Sequence, residues 1–180
     1  MPDSIRTERL VLEPLDPDVI RHLVEGDRTA AQRKARRTFP DEFPTDDDLA
    51  GFLPIQLRRM VETPNRREWM ARLMVTHAHD VVGHCGFHGP PGVIGRAEIG
   101  YTVFTPFRRR GFAREAARAL VNFAFEQGET HVYASVSPHN LASLKVVRAL
   151  GFAEVGTQVD EVDGLELVFA IEPSFARPQR

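Results

Sequence analysis

Cysteine is almost missing from this chain. Cys85 is the single one among 180 residues, so no internal disulfide can form and the fold has to rest on buried apolar surface. No apolar run approaches the roughly 20 residues that span a bilayer, which excludes a helical membrane anchor from the reading. Nor is there a surplus of positive charge. With 23 Lys and Arg against 25 Asp and Glu, the net charge of -2 argues against nonspecific nucleic-acid binding, which needs a basic face. Neither nucleic acid nor membrane is therefore an expected partner. Nothing near Met1 reads as a charged start followed by a secretory apolar core, and the reducing cytoplasm is the expected setting. Internal repeats and low-complexity segments are absent. The glycines over 82–95 do not form a Gly-x-Gly-x-x-Gly opening a helix, which excludes the dinucleotide fingerprint.

What is present is ordinary globular material: 42% hydrophobic and 27% charged residues. That suits a single domain over 1–180, with a core from about 7 to 172 and a loose tail over 173–180. Leu10 and Leu12 alternate with Val11 and Glu13, a strand that stops at Pro14. Asp16 or Asp18 caps a helix to about residue 25, with Val19, Ile20, Leu23 and Val24 on its apolar side. Arg33, Lys34, Arg36 and Arg37 make the next segment basic, a solvated helix or a wall facing a substrate. Thr45 followed by three aspartates starts a further helix, in which Pro54 predicts a kink or a break into two short helices.

Strands follow over 68–76 and 81–87, joined at His79-Asp80 and closed by Gly89-Pro90-Pro91-Gly92. A strand over 97–104 leads to a helix over 112–127, whose stripe is Phe112, Ala116, Leu120, Phe123 and Ala124 and whose stop is Gly128. A strand over 132–137, a helix over 140–152 and a hairpin turning at 160–164 complete the pattern. The sum is an α+β fold: a mixed, mostly antiparallel sheet of about six or seven strands carrying four or five helices.

The stretch Arg108-Arg109-Arg110-Gly111-Phe112-Ala113 lies between a strand and a long helix. A glycine turn running into a helix start leaves backbone N–H groups unpaired beside the positive end of the dipole, a cradle for a pyrophosphate. Gly111 lets the backbone approach a ligand, Ala113 keeps the first turn open, and the arginines add forked donors. Downstream, Asn140-Leu141-Ala142-Ser143 opens a helix that closes on Leu150-Gly151-Phe152.

This succession resembles the GCN5-related N-acetyltransferase (GNAT) family: a strand, an Arg/Gln-x-x-Gly-x-Gly/Ala turn, a long helix, a strand, then Asn-x-x-Ser and a helix ending in Leu-Gly-Phe. The opening Thr7-Glu8-Arg9-Leu10-Val11-Leu12-Glu13-Pro14-Leu15 is similar to its ribosomal-protein N-terminal acetyltransferase branch. The resemblance implies acetyl-coenzyme A as cosubstrate, bound at Val103, Arg108, Arg109, Arg110, Gly111, Phe112, Ala113 and Asn140. It also implies a strand that bulges and splays before the phosphate turn, freeing main-chain groups.

Acetyl transfer to an amine further needs a proton donor for the thiolate and an acceptor for the amine proton. Many members of the family place a tyrosine shortly after the fourth helix, but here the only tyrosines, Tyr101 and Tyr133, come earlier. Ser143 stands where the ribosomal-protein branch has a serine acid, and the resemblance implies that role for it; a small residue for helix packing is the alternative. Glu98, beside the expected splay, is the candidate base, with Asp160 and Glu161 behind it. Glu115 is expected to pair with Arg114 or Arg118.

His77, His79, His84 and His88 fall close together, but no second shell is announced and no metal is expected. Cys85 reads as a buried, inert thiol. The expected activity is acetyl transfer to a primary amine by direct attack in a ternary complex, the acceptor being a protein N-terminus. A small-molecule amine acceptor and a noncatalytic acyl-coenzyme A binding module are the competing readings. An exposed sheet edge leaves a homodimer open.

Overall fold

The computed structural model describes residues 3–160 and 164–173. Its strands are β1 (Ile5–Arg6), β2 (Leu10–Pro14), β3 (Arg72–Thr76), β4 (Val81–Phe87), β5 (Ala97–Val103), β6 (Val132–Val136), β7 (Ala153–Asp160) and β8 (Gly164–Ile171). They form one sheet in the order β1-β2-β3-β4-β5-β6-β8-β7. Every neighbouring pair is antiparallel except β5 with β6, which run parallel. The helices are α1 (Pro17–Val24), α2 (Arg28–Ala35), α3 (Leu53–Glu62), α4 (Pro91–Ile94), α5 (Phe112–Glu126) and α6 (Leu141–Leu150). Strand and helix numbers thus exceed the expectation slightly. The two-residue β1 and the four-residue α4 are too short to give a periodic signal.

The sheet buries both faces. Against one lie α5 and α6, whose Phe112, Ala116, Leu120, Ala124, Leu144 and Val147 meet Leu10, Leu12, Met74 and Ile99. Against the other lie α1, α2 and α3, contributing Val19, Ile20, Ala31, Leu53 and Met60 over Leu73, Val75 and Val81. Fully burying a leucine is worth about 1.5–3 kcal/mol, against ~0–1 kcal/mol for an exposed ion pair, so these two layers and not the charged surface hold the domain.

Local chemistry explains the boundaries. Asp16 caps α1 by accepting from the Asp18 amide, while Val24, expected on its apolar side, is exposed. Thr45 and Asp48 bond each other's amides, but the helix they start is unbroken: a π-helical turn, Asp48–Phe52, runs straight into α3. The proline has no amide to give to the carbonyl one turn back, and the backbone widens there in place of breaking. Buried Gln56 then ties α3 to the sheet, donating to the Phe87 carbonyl at 3.1 Å and accepting from the Ala71 amide at 3.0 Å. Two of the four charges of the basic segment are paired within the fold: Arg37 with Glu13, and Lys34 with Asp18 and Asp16. Residues 161–163, among them Glu161, and 174–180 of the expected tail lie outside the described residues.

Candidate active site

The site begins with a gap in the sheet. β5 pairs with β6 only at Ala97↔Val132 and Glu98↔Tyr133, and beyond Glu98 the two strands part. On its other side β5 stays paired with β4 along its length. The His88 amide donates to the Glu98 carbonyl and the Phe104 amide to the Val82 carbonyl, both at 2.9 Å. Because antiparallel bonding alternates, the main-chain groups of Ile99, Tyr101 and Val103 then point the other way, into the gap. The family-implied bulge is not what opens it: the β4–β5 register carries no shift, and the opening comes from the divergence of β6. The Ile99 amide still belongs to the pairing with Tyr133, and the Val103 carbonyl accepts from Arg108 Nε at 3.0 Å, which leaves the Val103 amide, the Ile99 carbonyl and both groups of Tyr101 facing the cleft.

Where β5 ends, the chain turns through Arg109 at φ 63° and Gly111 at φ 83°, and α5 starts with no side-chain cap. Two left-handed residues so close together curl the backbone into a concavity of N–H groups, at a helix start whose own first-turn amides are free of side-chain acceptors. Arg9 supports this turn. It donates to the Arg110 carbonyl at 2.9 Å, lies over the Phe112 ring at 4.9 Å, and has Nη2 3.3 Å from where a Cβ on Gly111 would sit.

Glu115 holds Arg9 in place: its carboxylate accepts from the Arg9 amide at 2.8 Å, from Arg9 Nε at 2.7 Å and from the Thr7 hydroxyl at 2.6 Å. The expected pairing of Glu115 with Arg114 or Arg118 is therefore corrected, since the carboxylate turns inward to β2's leading turn. Burial acts to raise its pKa, but these hydrogen bonds outweigh it and hold the carboxyl below the usual range. From Gly111 an open groove of about 1540 Å³ runs along α5 past Arg114 and Arg118 to Arg148 and Gly151.

A smaller cleft of about 210 Å³ occupies the parting of β5 and β6, lined by His88, Gly100, Tyr101, Ser135, Asn140, Ser143 and Glu166 among others. Asn140 caps α6, accepting from the Ser143 amide at 3.0 Å. Tyr101, which sequence order sets aside, comes to the same place: its hydroxyl lies 3.5 Å from the Ser143 carbonyl, and burial pushes its pKa up to about 12. Sequence position could not show this, because the contact spans two elements that meet only through the sheet.

Glu98 stands at the last pairing before the gap and is only 6% exposed. Its Oε2 accepts from Arg96 Nε at 2.8 Å, and its Oε1 from the Ser135 hydroxyl. Gln158 of β7 and Glu166 of β8 extend the network, with Arg96 Nη2 donating to Gln158 Oε1 at 2.8 Å and Gln158 Nε2 to Glu166 Oε2 at 2.9 Å. Asp160 closes β7.

The four neighbouring histidines scatter. His77 and His79 are exposed, His84 is buried with Nε2 3.3 Å from Asp48 Oδ1, and His88 faces the cleft. Among the described residues no three His, Cys, Asp or Glu side chains group as metal ligands. Cys85 lies in the core, where burial raises its thiol pKa to about 12. Nor is any described helix long and apolar enough to cross a membrane.

The sequence over 9–153 matches the family model described as an acetyltransferase (GNAT) domain. The chain belongs to the GNAT acetyltransferase family. Among curated relatives, the uncharacterized N-acetyltransferase YjdG of Bacillus subtilis is 27% identical over 82% of this chain and 88% of its own length. The uncharacterized N-acetyltransferase p20 of Bacillus licheniformis is 34% identical, over 47% of this chain and about half (48%) of its own length.

Solved structures share the fold. The ribosomal-protein-S5-alanine acetyltransferase of Vibrio fischeri superposes with a TM-score of 0.65 at 16% identity, covering 98% of this chain and 100% of that one. Mycobacterium smegmatis RimJ, in complex with CoA-disulfide, does so with 0.66 at 19%, covering 96% and 88%. The GNAT assignment and the mixed, mostly antiparallel sheet are thus established.

Proposed function

We propose that this protein transfers acetyl from acetyl-coenzyme A to a primary amine by direct attack in a ternary complex, and that the favoured acceptor is a protein N-terminal α-amine. One observation carries the reading: the Ile99 carbonyl and the main-chain groups of Tyr101 and Val103, without a strand partner, open directly onto the curled turn and uncapped start of α5. A molecule with amides along its length and a pyrophosphate at one end matches both halves of that arrangement. The pyrophosphate belongs at 108–113, the thioester end in the small cleft, and the nucleotide in the groove flanked by Arg114, Arg118 and Arg148.

Direct attack is supported by the absence of a thiol to carry the acetyl group, since Cys85 is buried and its thiolate strongly disfavoured. Asn140 and Ser143 stand at the sulfur's end of the cleft, Ser143 to return a proton to the thiolate. Glu98 supplies the negative charge at the acceptor's end. The α-amine acceptor is supported by chemistry: its pKa of about 7.7–8.0 leaves it substantially neutral near pH 7.5, whereas a lysine near 10.4 is almost wholly cationic. A ribosomal-protein acetyltransferase among the structures that share the fold points the same way.

Coenzyme A release tests this across peptides with free or blocked N-termini, lysine side chains, polyamines and aminoglycosides. The free N-terminus should win. Faster turnover of a polyamine or aminoglycoside would assign a small-molecule acceptor, and cofactor binding with no turnover across the panel would make the protein a binding module.

A further inference from the structure

The proton acceptor read from the sequence, Glu98, is poorly placed to exchange protons. It is 6% exposed, and both of its oxygens already accept, from Arg96 and Ser135. Taking a proton from an ammonium would break one of those bonds inside the protein and leave the Arg96 charge with less compensation. A carboxylate so engaged serves better as a fixed negative charge than as a shuttle.

His88 stands between that carboxylate and the cleft. Its Nδ1 is 4.0 Å from Glu98 Oε1, and its side chain is 48% exposed. Its main chain is pinned on both sides: the amide donates to the Glu98 carbonyl at 2.9 Å, and the carbonyl accepts from Arg59 of α3. The ring has a prepared seat. A Cβ on Gly100 would lie 3.1 Å from Nε2 and 3.5 Å from Cδ2, so the missing side chain there is what lets the imidazole lie over β5 beside Tyr101. Nδ1 thus faces the buried carboxylate, while Nε2 lies over Gly100 in the wall of the cleft. Imidazole is also the side chain that exchanges a proton most readily between pH 5 and 8.

We propose that His88 is the catalytic residue that removes the proton from the incoming amine, and that Glu98 is its positioning residue. Resting on the acetyltransferase reading above, it assigns the acceptor end of that site. The ammonium gives one proton to His88 Nε2. The neutral amine attacks the thioester carbonyl, a C–N bond forms and the C–S bond breaks. The thiolate takes up the nitrogen's second proton through the Ser143 side of the cleft, and His88 returns its own to water. The charged and titratable groups facing the ring are Glu98 and Arg96 at the head of β5, Tyr101 farther along it, Arg59 from α3 and Glu166 from β8. Among these Glu98 and Glu166 carry negative charge, and Arg59 and Arg96 positive.

The test is kcat/KM against pH for wild type, His88→Gln, Glu98→Gln and Gly100→Ala, with acetyl-coenzyme A affinity measured separately by calorimetry. His88→Gln should lose on the order of 100-fold near neutral pH and recover as rising pH deprotonates the amine without help, at unchanged cofactor affinity. Glu98→Gln leaves the ring without the carboxylate that positions it, so kcat should fall while the rising limb is not displaced to higher pH. Gly100→Ala displaces the ring and should lower kcat while keeping the limb. A His88→Gln enzyme with wild-type rate and profile overturns the proposal, as does a Glu98→Gln limb displaced to higher pH, which would make Glu98 the base. Wild-type protein that neither binds acetyl-coenzyme A nor releases coenzyme A with any amine would instead sink the acetyltransferase reading.

Discussion

Arg9 and Glu115 are 106 positions apart, yet they meet through the backbone and side chain of the arginine at 2.8 and 2.7 Å. The pair joins the first turn of α5 to the segment leading into β2, and through Arg9 it reaches the Arg110 carbonyl of the phosphate turn.

Glu115→Gln should therefore destabilise the domain by about 1–2 kcal/mol, a figure discounted because Arg9 is 45% exposed. The folded carboxyl titrates below its unfolded value, so the stabilisation is complete above the unfolded pKa of about 4.3 and is lost as pH falls through the folded one. Thermal unfolding should show variant and wild type separated at pH 7 and converging below about pH 4. A gap that stays constant to pH 3 would mean that the ionised carboxylate is not what matters.

Gly111→Asp should weaken acetyl-coenzyme A binding on the order of 100-fold while the domain still folds. The residue sits at φ 83°, where a side chain is strained, with Arg9 Nη2 3.3 Å from the Cβ position, and the new charge would oppose a pyrophosphate. Calorimetry on the folded variant decides it, and unchanged affinity would remove this turn from the binding site.

Ser143→Ala should lower kcat by less than tenfold, because a thiolate with an ordinary pKa near 8.5 leaves readily. Tyr101→Phe should cost more, about tenfold, since a phenol whose pKa is near 12 stays protonated at every assay pH and faces the same cleft. Steady-state kinetics on both variants and their combination measure it; two wild-type rates would return both residues to packing.

Cys85 should not react with a disulfide reagent in the native protein at pH 8, and should react fully once the chain is unfolded. Burial both screens the thiol and keeps its pKa at about 12. Titration with and without denaturant checks this. Rapid native labelling would mean that β4 opens, and would also complicate any assay that counts released coenzyme A by its thiol.

The elements most legible in sequence were those whose local chemistry and burial agree. Asn140 and Gly151 bracket α6 as expected, and Gly128 ends α5 at φ 94°. Pro54 marked the right place but not the outcome, because a proline tells where a hydrogen bond is lost and not how the backbone absorbs the loss. The turn at 108–113 was readable for the same local reason. Arg9, Tyr101 and His88 were not, since each owes its position to a partner on another strand or helix: Glu115, Ser143 and Glu98. Glu98's location was readable, but the Arg96 and Ser135 bonds that immobilise its charge depend on the pairing of β5 with β6.

That pairing amounts to Ala97↔Val132 and Glu98↔Tyr133. Five strands lie on one side of it and three on the other, so the sheet is two blades on a short hinge. Whatever slots along Ile99 and Tyr101 becomes the missing rung between the blades, and the stiffness of the β6, β8 and β7 blade is then set by occupancy. Hydrogen exchange at β8 amides, well away from any ligand contact, would report whether the slot is filled.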